Sequence, residues 1–444
     1  MEKLLQYIWK HKIFPLNPLQ TNNGLTLEII DPGIQNNNSG PDFFNAKIKI
    51  DGTLWIGNVE VHLNATEWFL HGHDKDTAYN NVILHVTAND NCAVITAEQK
   101  EVPQLCLPIP KDIQEQYDVL KQSENYPRCH QIIGNLSAFT IHSWMSALVH
   151  ERLQERSQLI LNRLKQQNGD WEQAFFITLA RNFGFGLNGD AFERWANRIP
   201  FHAIAKHRDS LFQLEAFFMG QAGLLNDEMM DEKEQNAALN DAYFRDLKKE
   251  YNYLKHKFQM EPLQPDIWRF MRTRPQNFPH IRLSQLAKMY HEEKLTFSII
   301  REITDVTHLR KQLDFQCSDY WQTHFLFGYP SPRSNKNMGR NTVDLIIINT
   351  IIPTLFAYGK YLNNESFVEQ GIQLLEQIKP ENNHIIRLWQ ECGLQVEHAA
   401  DSQALIQLKK EYCDKHECLR CRFGYEFLKN RKNLFCSEET TRNE

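Results

Sequence analysis

The chain has 444 residues, 42% of them hydrophobic and 23% charged, with a formal net charge of −6. That balance supports a packed core and excludes a disordered polymer, a polyanion mimic and a uniformly basic nucleic-acid binder, so any polyanion site must be local. No apolar run is read as the roughly 18 to 20 residues that would span a bilayer. Nine cysteines, an odd count with three crowded together, point to a reducing, cytoplasmic setting and a metal site in place of disulfides.

Met1 to Ile13 places Leu4, Leu5, Ile8 and Trp9 on one helical face before Pro15, Asn17 and Pro18 end it. Strand-like runs follow at 25–30, 46–50 and 54–63, the last two joined by Asp51-Gly52, a tight-hairpin signal. A short helical turn is expected at 74–79, a buried strand at 82–87, and weaker strands at 93–97 and 104–107. The first 110 residues therefore read as helix, three-strand meander, helix, strand. Residues 111–135 read as a connecting helix and linker. From 136 to about 410 helical periodicity takes over, as in Ile141, Met145, Leu148, Leu153, Ile160 and Leu164, with loops at 182–190 and 328–339 and a break at Pro275–Pro279. A cysteine-rich segment at 411–436 and a polar tail at 437–444 close an α+β chain.

Two stretches of the first domain carry candidate chemistry, SGPD at 39–42 and NVEVH at 58–62. On a strand, alternate residues share a face, so Asn58, Glu60 and His62 project together while Val59 and Val61 pack the other way. Antiparallel pairing through the Asp51-Gly52 turn brings Asp42 beside Glu60. Two carboxylates at one strand edge repel unless a cation lies between them, and such oxygen-rich sites suit Mg²⁺ or Mn²⁺. Nearby, WFLHGHDKD supplies His71, His73, Asp74 and Asp76; His71 or His73 is a candidate general acid or second metal ligand near Glu60, Asp74 an orienting group or helix cap, and His85 a core residue.

Pro-Asp before the second meander strand and Glu-x-His on the third resemble the PD-(D/E)xK nuclease fold over roughly the first 90 residues. The resemblance implies that Asp42 and Glu60 hold a divalent cation, with His62 in the place of the usual lysine and Lys47 or Lys49 as substitutes for it. The expected reaction is phosphodiester hydrolysis with Asp42, Glu60, His62 and His73 as the working groups. The rivals are a non-catalytic nucleic-acid-binding scaffold and a small-molecule hydrolase with a histidine-bound transition metal.

Residues 1–110 hold seven lysines, no arginine and twelve acids, a balance of −5 that repels nucleic acid. Residues 268–340 reach +6, and WRFMRTRPQNFPHIRL interleaves Arg269, Arg272, Arg274 and Arg282 with Trp268, Phe270 and Phe278, an expected phosphate and base contact. Further on, YCDKHECLRCRFG sets Cys413, Cys418 and Cys421 in a C-x4-C-x2-C spacing suited to structural zinc; the resemblance to the nuclease fold, some members of which staple their ends with three C-terminal cysteines and one distant one, implies an iron–sulfur cluster as the alternative, with Cys129 as the distant ligand. Cys436 is the first choice for the fourth ligand, with His416, Cys392 and Cys129 as alternatives. Taken together, SGPDFFNAKI, GNVEVH, AYNNVILHV, ARNFGF, RPQNFP and YCDKHECLRC are similar to an uncharacterised bacterial family over nearly the full length, which implies no activity.

Overall fold

The computed structural model describes residues 1–14, 19–36, 38–89, 92–124 and 126–429. The expected helix stop at Pro15–Pro18, Cys436 and the 437–444 tail lie outside the described residues. The chain is mixed α/β with a helical majority and divides into two compact units. The first comprises residues 1–141, 388–394 and 408 onward; the second comprises 142–387 and 395–407.

This division corrects the expected boundaries. Residues 111–135 are not a linker but part of the first unit, where α3 (Lys111–Gln122) and α4 (His130–Ile133) lie. The cysteine segment is not a separate appendage either: the helix Arg422–Lys429 packs on α3 and α4 and buries Phe423, Phe427 and Leu428. Burying aromatic and aliphatic side chains of this size contributes about 1.5–3 kcal/mol each, which is reason enough for the segment to fold back.

The first unit opens with α1 (Glu2–Lys10), whose Leu4, Leu5, Ile8 and Trp9 are fully buried. A seven-stranded sheet comes next: β1 (Leu19–Gln20), β2 (Thr26–Asp31), β3 (Ile34–Gln35), β4 (Phe43–Ile50), β5 (Thr53–Asn64), β6 (Val82–Asn89) and, beyond a small hairpin of β7 (Val94–Ile95) and β8 (Glu101–Val102), β9 (Gln104–Cys106). Its order is β1-β2-β4-β5-β6-β9, with β3 paired to β4. Pairing is antiparallel from β1 through β5 and parallel from β5 to β6 and β9. Asp51 and Gly52 both take positive φ, +48° and +80°, the geometry of the two-residue turn their sequence signals.

Strand β4 is irregular at one point. Between Phe43↔Val59 and Ala46↔Gly57 it carries one extra residue, and Asn45 adopts φ +55° there. Asn58 Oδ1 accepts the Asn45 N–H at 3.4 Å, so Asn58 fastens this bulge.

The second unit is helical, with aromatic packing among Phe176, Trp195, Phe201, Phe218 and Tyr290. Residues 340–362 form one continuous helix, Arg340–Ile346 and Ile352–Leu362 flanking a π turn at Ile347–Ile351. This corrects the reading that no span-length apolar helix exists: the segment is long and apolar enough, and 72% of its most apolar window is buried inside the fold. A helix buried on most sides is apolar on most sides.

Candidate metal centre

Strand β5 separates two faces by simple alternation. Val59 and Val61 are fully buried on one side, and Asn58, Glu60 and His62 lie on the other. In the parallel pairs, Glu60 stands opposite His85 and His62 opposite Thr87, while His85 stands opposite Gln104 on β9, so one face of three adjacent strands is polar. The segment after β5 adds to this face: α2 (Glu67–Leu70) carries Trp68, and the turn beyond it brings His71, His73 and Tyr79.

Asp42 and Glu60 do meet. The Asp42 backbone N–H donates to Glu60 Oε2 at 3.0 Å, and the Val61 N–H donates to Asp42 Oδ2 at 3.1 Å. Burial, and then the charge of Glu60, push the Asp42 carboxyl up to about 7, against the opposing hydrogen bonds from Val61 and Gln6. Two acids this close cannot both ionise comfortably without a cation.

Around Glu60 Oε1 the imidazoles close in, His62 Nε2 at 3.5 Å and His73 Nε2 at 3.3 Å. Glu60, His62 and His73 are only 5, 2 and 8% exposed. His73 Nε2 is near enough to pair with Glu60 yet outside hydrogen-bond geometry, which leaves it buried with no hydrogen-bond partner. Its ring stacks on Tyr79 at 3.8 Å between centroids, so the orientation is fixed by packing. The donor atoms of His62, His71 and His73 all lie within 4.8 Å of one another.

The protonation of His62 is set by a chain of hydrogen bonds. The Gln104 backbone N–H donates to Asn22 Oδ1 (3.3 Å), so Asn22 Nδ2 donates to Gln104 Oε1 (3.1 Å), and Gln104 Nε2 must donate to His85 Nδ1 (3.2 Å). His85 then carries its proton on Nε2 and donates to His62 Nδ1 (2.9 Å), and His62 in turn presents Nε2–H to His71 Nδ1 (3.1 Å). Burial and neighbouring imidazoles hold His62 down at about 4 and His85 at about 3, so each keeps a single proton at neutral pH. The backbone amide of Gln104 therefore fixes Nε2 as the protonated nitrogen of His62, and that N–H goes to His71 Nδ1, with Glu60 Oε1 3.5 Å away.

Several other residues take different places from those expected. Lys49 pairs with Glu28 at 3.0 Å, and Lys47 stands opposite Ile56, four residues and roughly 13 Å along the strand from Glu60, so neither lysine reaches the site. Asp74 is not the cap: Asp76 accepts from Ala78 N–H at 2.9 Å, while Asp74 Oδ1 is buried without a hydrogen-bond partner. His85 is fully buried as expected, but it serves the relay.

In the second unit Arg282 is 4% exposed, donates to Gln285 and Asn277, and lies over the Phe185 ring. Burial lowers its guanidinium to about 10. A guanidinium held this way is a packing element and not a surface phosphate clamp. Trp268 is likewise core, its indole N–H bonded to Ala222 O, whereas Arg269, Arg272 and Arg274 are exposed.

Sequence reasoning missed Gln6, Glu2, Glu67, Tyr79 and Gln104. Gln6 hydrogen-bonds to Asp42, and Glu2 lies in the field of Glu67, His71 and Glu60, with burial raising its carboxyl. Glu67 accepts the Leu63 N–H and the Asn64 amide at 3.1 Å each. The i,i+4 spacing of Glu2 and Gln6 on the polar stripe of α1 was the one available signal.

A family model described as "protein of unknown function (DUF2851)" matches residues 2–384. No curated protein and no solved structure matches the chain.

Proposed function

The chain belongs to the DUF2851 family, and from the geometry of its first unit we propose a divalent-cation-dependent phosphodiesterase of the PD-(D/E)xK nuclease kind that acts on nucleic acid. The observation that carries this reading is the buried, unpartnered His73 Nε2 at 3.3 Å from Glu60 Oε1, beside an Asp42 carboxyl forced up to about 7. Two ligands about 2.1 Å from one octahedral cation stand about 3.0 Å apart, so the pair has the spacing of shared ligands without the cation's charge. The order of elements supports the same reading: a helix, an antiparallel meander with Asp42 before β4 and Glu60 on β5, then a parallel β6.

Asp42, Glu60 and His73 would hold the cation, and a mixed oxygen and nitrogen set suits Mn²⁺ better than Mg²⁺. When bound, the cation polarises a phosphate oxygen and lowers the pKa of a coordinated water. Once its Nε2–H leaves His71 Nδ1, His62 would supply an N–H donor for a phosphate oxygen or the attacking water, the task the resembled fold gives to lysine, and Asn22, Gln104 and His85 keep the proton on that nitrogen. Gln6 orients Asp42. Arg269, Arg272 and Arg274 are the proposed phosphate contacts.

A second reading rests on the trio His62, His71 and His73, a donor set for a transition metal in a small-molecule hydrolase. It requires breaking the relay, because His62 Nε2 and His71 Nδ1 are committed to each other. Tightly held zinc that is lost in His71→Ala would favour it.

The test is cleavage of single-stranded, duplex and branched DNA and RNA by the full-length protein with Mg²⁺ or Mn²⁺. Cation-dependent cleavage that disappears in Asp42→Ala and Glu60→Gln is expected. Equal trace activity in wild type and Asp42→Ala overturns the phosphodiesterase. Salt-dependent binding that survives Glu60→Ala without any cleavage points instead to a non-catalytic scaffold.

A further inference from the structure

The helical unit holds a cavity of about 350 Å³, within the size range of small-molecule sites. Three stretches of chain build it, within 223–238, 265–280 and 326–329, all inside that unit. Its lining is mostly apolar and rich in rings. Phe270 meets Phe278 at 5.3 Å and His280 at 5.8 Å between centroids, and His280 meets Phe327 at 5.3 Å. Of the aromatic residues expected to contact bases, Trp268 is packed away in the core, whereas Phe270 and Phe278 line this cavity.

Hydrogen bonds outside the cavity fix its walls. The Trp268 indole N–H donates to Ala222 O at 2.8 Å. Asn188 holds Arg269 through both backbone groups, Nδ2 donating to the carbonyl at 2.9 Å and Oδ1 accepting the N–H at 2.8 Å, which anchors the chain one residue before Phe270. The Phe270 carbonyl accepts the Thr273 N–H at 3.2 Å and closes the turn in which Arg272 takes φ +63°. The third stretch is fixed likewise: the Gly328 N–H donates to Asp241 Oδ2 at 2.9 Å, and a Cβ there would fall 2.4 Å from Ala237 O, so only glycine lets Phe327 and Tyr329 come this near.

The polar groups of the lining are few, and most are acceptors. Glu234 and Asp266 are exposed carboxylates, and the Asn226 side chain caps nothing at the turn it precedes. His280 is 5% exposed, and its Nδ1 is buried with no hydrogen-bond partner, a polar atom in the wall that the fold leaves unsatisfied. Carboxylates here repel a phosphate or a fatty-acid headgroup and accept from amino groups. Exposed Arg269, Arg272 and Arg274, by contrast, bracket Phe270 along the chain and suit phosphate. One kind of guest meets both demands: a flat ring with an amino edge, joined to an anion that stays outside.

Bases fit that description unequally. Any base stacks on an aromatic face. Asp and Glu accept from cytosine N4, and Asn pairs with adenine N6 and N7, whereas thymine and uracil turn an acceptor, O4, toward the same groups. We infer that this cavity takes one unstacked nucleobase carrying an exocyclic amino group, with Arg269, Arg272 and Arg274 on the adjoining phosphates. The inference rests on the reading that the chain acts on nucleic acid, and it narrows the substrate to strands with unpaired bases, because pairing occupies the amino edge.

The test is equilibrium binding, by fluorescence anisotropy, of short labelled single strands of deoxycytidylate, deoxyadenylate or deoxyuridylate to the full-length protein in chelator, where no cleavage intervenes. Cytosine and uracil share one ring size and differ at C4, so the pair reads the carboxylates and not the fit. Deoxycytidylate should bind at least about fivefold more tightly than deoxyuridylate, and Glu234→Gln with Asp266→Asn should bring the two within about twofold. Phe270→Ala should weaken deoxycytidylate and deoxyadenylate about 5- to 100-fold, whereas Arg272→Ala should weaken all three strands alike. Equal affinity for deoxycytidylate and deoxyuridylate, a preference that survives the double substitution, or full affinity in Phe270→Ala overturns the base cavity; cation-dependent cleavage would then leave the phosphodiesterase standing without it. Absence of binding by any strand overturns the cavity too, and joined with absence of cleavage it removes the nucleic-acid reading as well. Should Phe270→Ala not fold, the exposed pair Glu234 and Asp266 decides alone.

Discussion

Glu60 in the first unit and Glu215 in the helical unit are both buried carboxylates, and they are held in opposite ways. Glu215 in the helical unit is fully buried, yet both oxygens are satisfied: Ser284 Oγ donates to Oε1 at 2.5 Å, and the hydroxyls of Tyr243 and Ser318 donate to Oε2. Burial raises its carboxyl and those hydrogen bonds pull it back. Glu60 is 5% exposed and accepts one backbone N–H, while its other oxygen faces two imidazoles and its neighbour is a second acid. Burial alone does not mark a functional acid. The discriminating feature is whether the surrounding donors complete its hydrogen bonding or leave a gap that a cation would fill.

The largest expected effect tests the satisfied carboxylate. Glu215→Ala orphans three hydroxyl donors and opens a cavity, and should cost about 3–5 kcal/mol in denaturant unfolding. Glu60→Gln in chelator-treated protein should be neutral or stabilising, because it removes repulsion with Asp42; comparable losses in both would erase the contrast. Next, Mn²⁺ at about a hundred times its dissociation constant should stabilise the wild type by about 2.7 kcal/mol, a thermal shift absent in Asp42→Asn. Gln104→Leu releases the relay and should lower cleavage about 10- to 100-fold with little change in cation affinity; a loss confined to cation binding would make Gln104 a support of the metal shell and not of His62.

A smaller effect concerns acid. Burial holds His280 in the helical unit at about 3, against about 6.5 unfolded. Between those values the unfolded chain binds a proton that the native state refuses, so stability falls as pH drops, by about 1.4 kcal/mol per pH unit. His280→Gln should flatten that limb in urea titrations from pH 4 to 6. In the first unit His62 and His85 act in the same direction, whereas Asp42, with its folded pKa raised to about 7, stabilises as pH falls and offsets one of them. Smallest of all, Arg272→Ala should change stability by less than about 0.5 kcal/mol while reducing the salt dependence of nucleic-acid binding.

The legible parts of this fold were those with local causes. Alternation fixed the faces of β5, the Asp51-Gly52 turn fixed the meander, and together they brought Asp42 to Glu60. The relay was not legible, because it needs the parallel register Glu60↔His85↔Gln104, and no local pattern sets parallel pairing across forty residues. Arg282 misled for the same reason: its partners Asn277, Gln285 and Phe185 turn a charged helix face into core. Cys129 met the C-terminal cysteines only through the fold of α3 and α4.

The central claim is that Asp42, Glu60 and His73 share one divalent cation. Electron paramagnetic resonance titration of Mn²⁺ into the chelator-treated full-length protein measures this directly, wild type beside Glu60→Gln. A single saturable Mn²⁺ site, weakened at least about 100-fold by the substitution, is predicted. Binding of equal strength in both proteins, or no ordered Mn²⁺ in the wild type, contradicts the account.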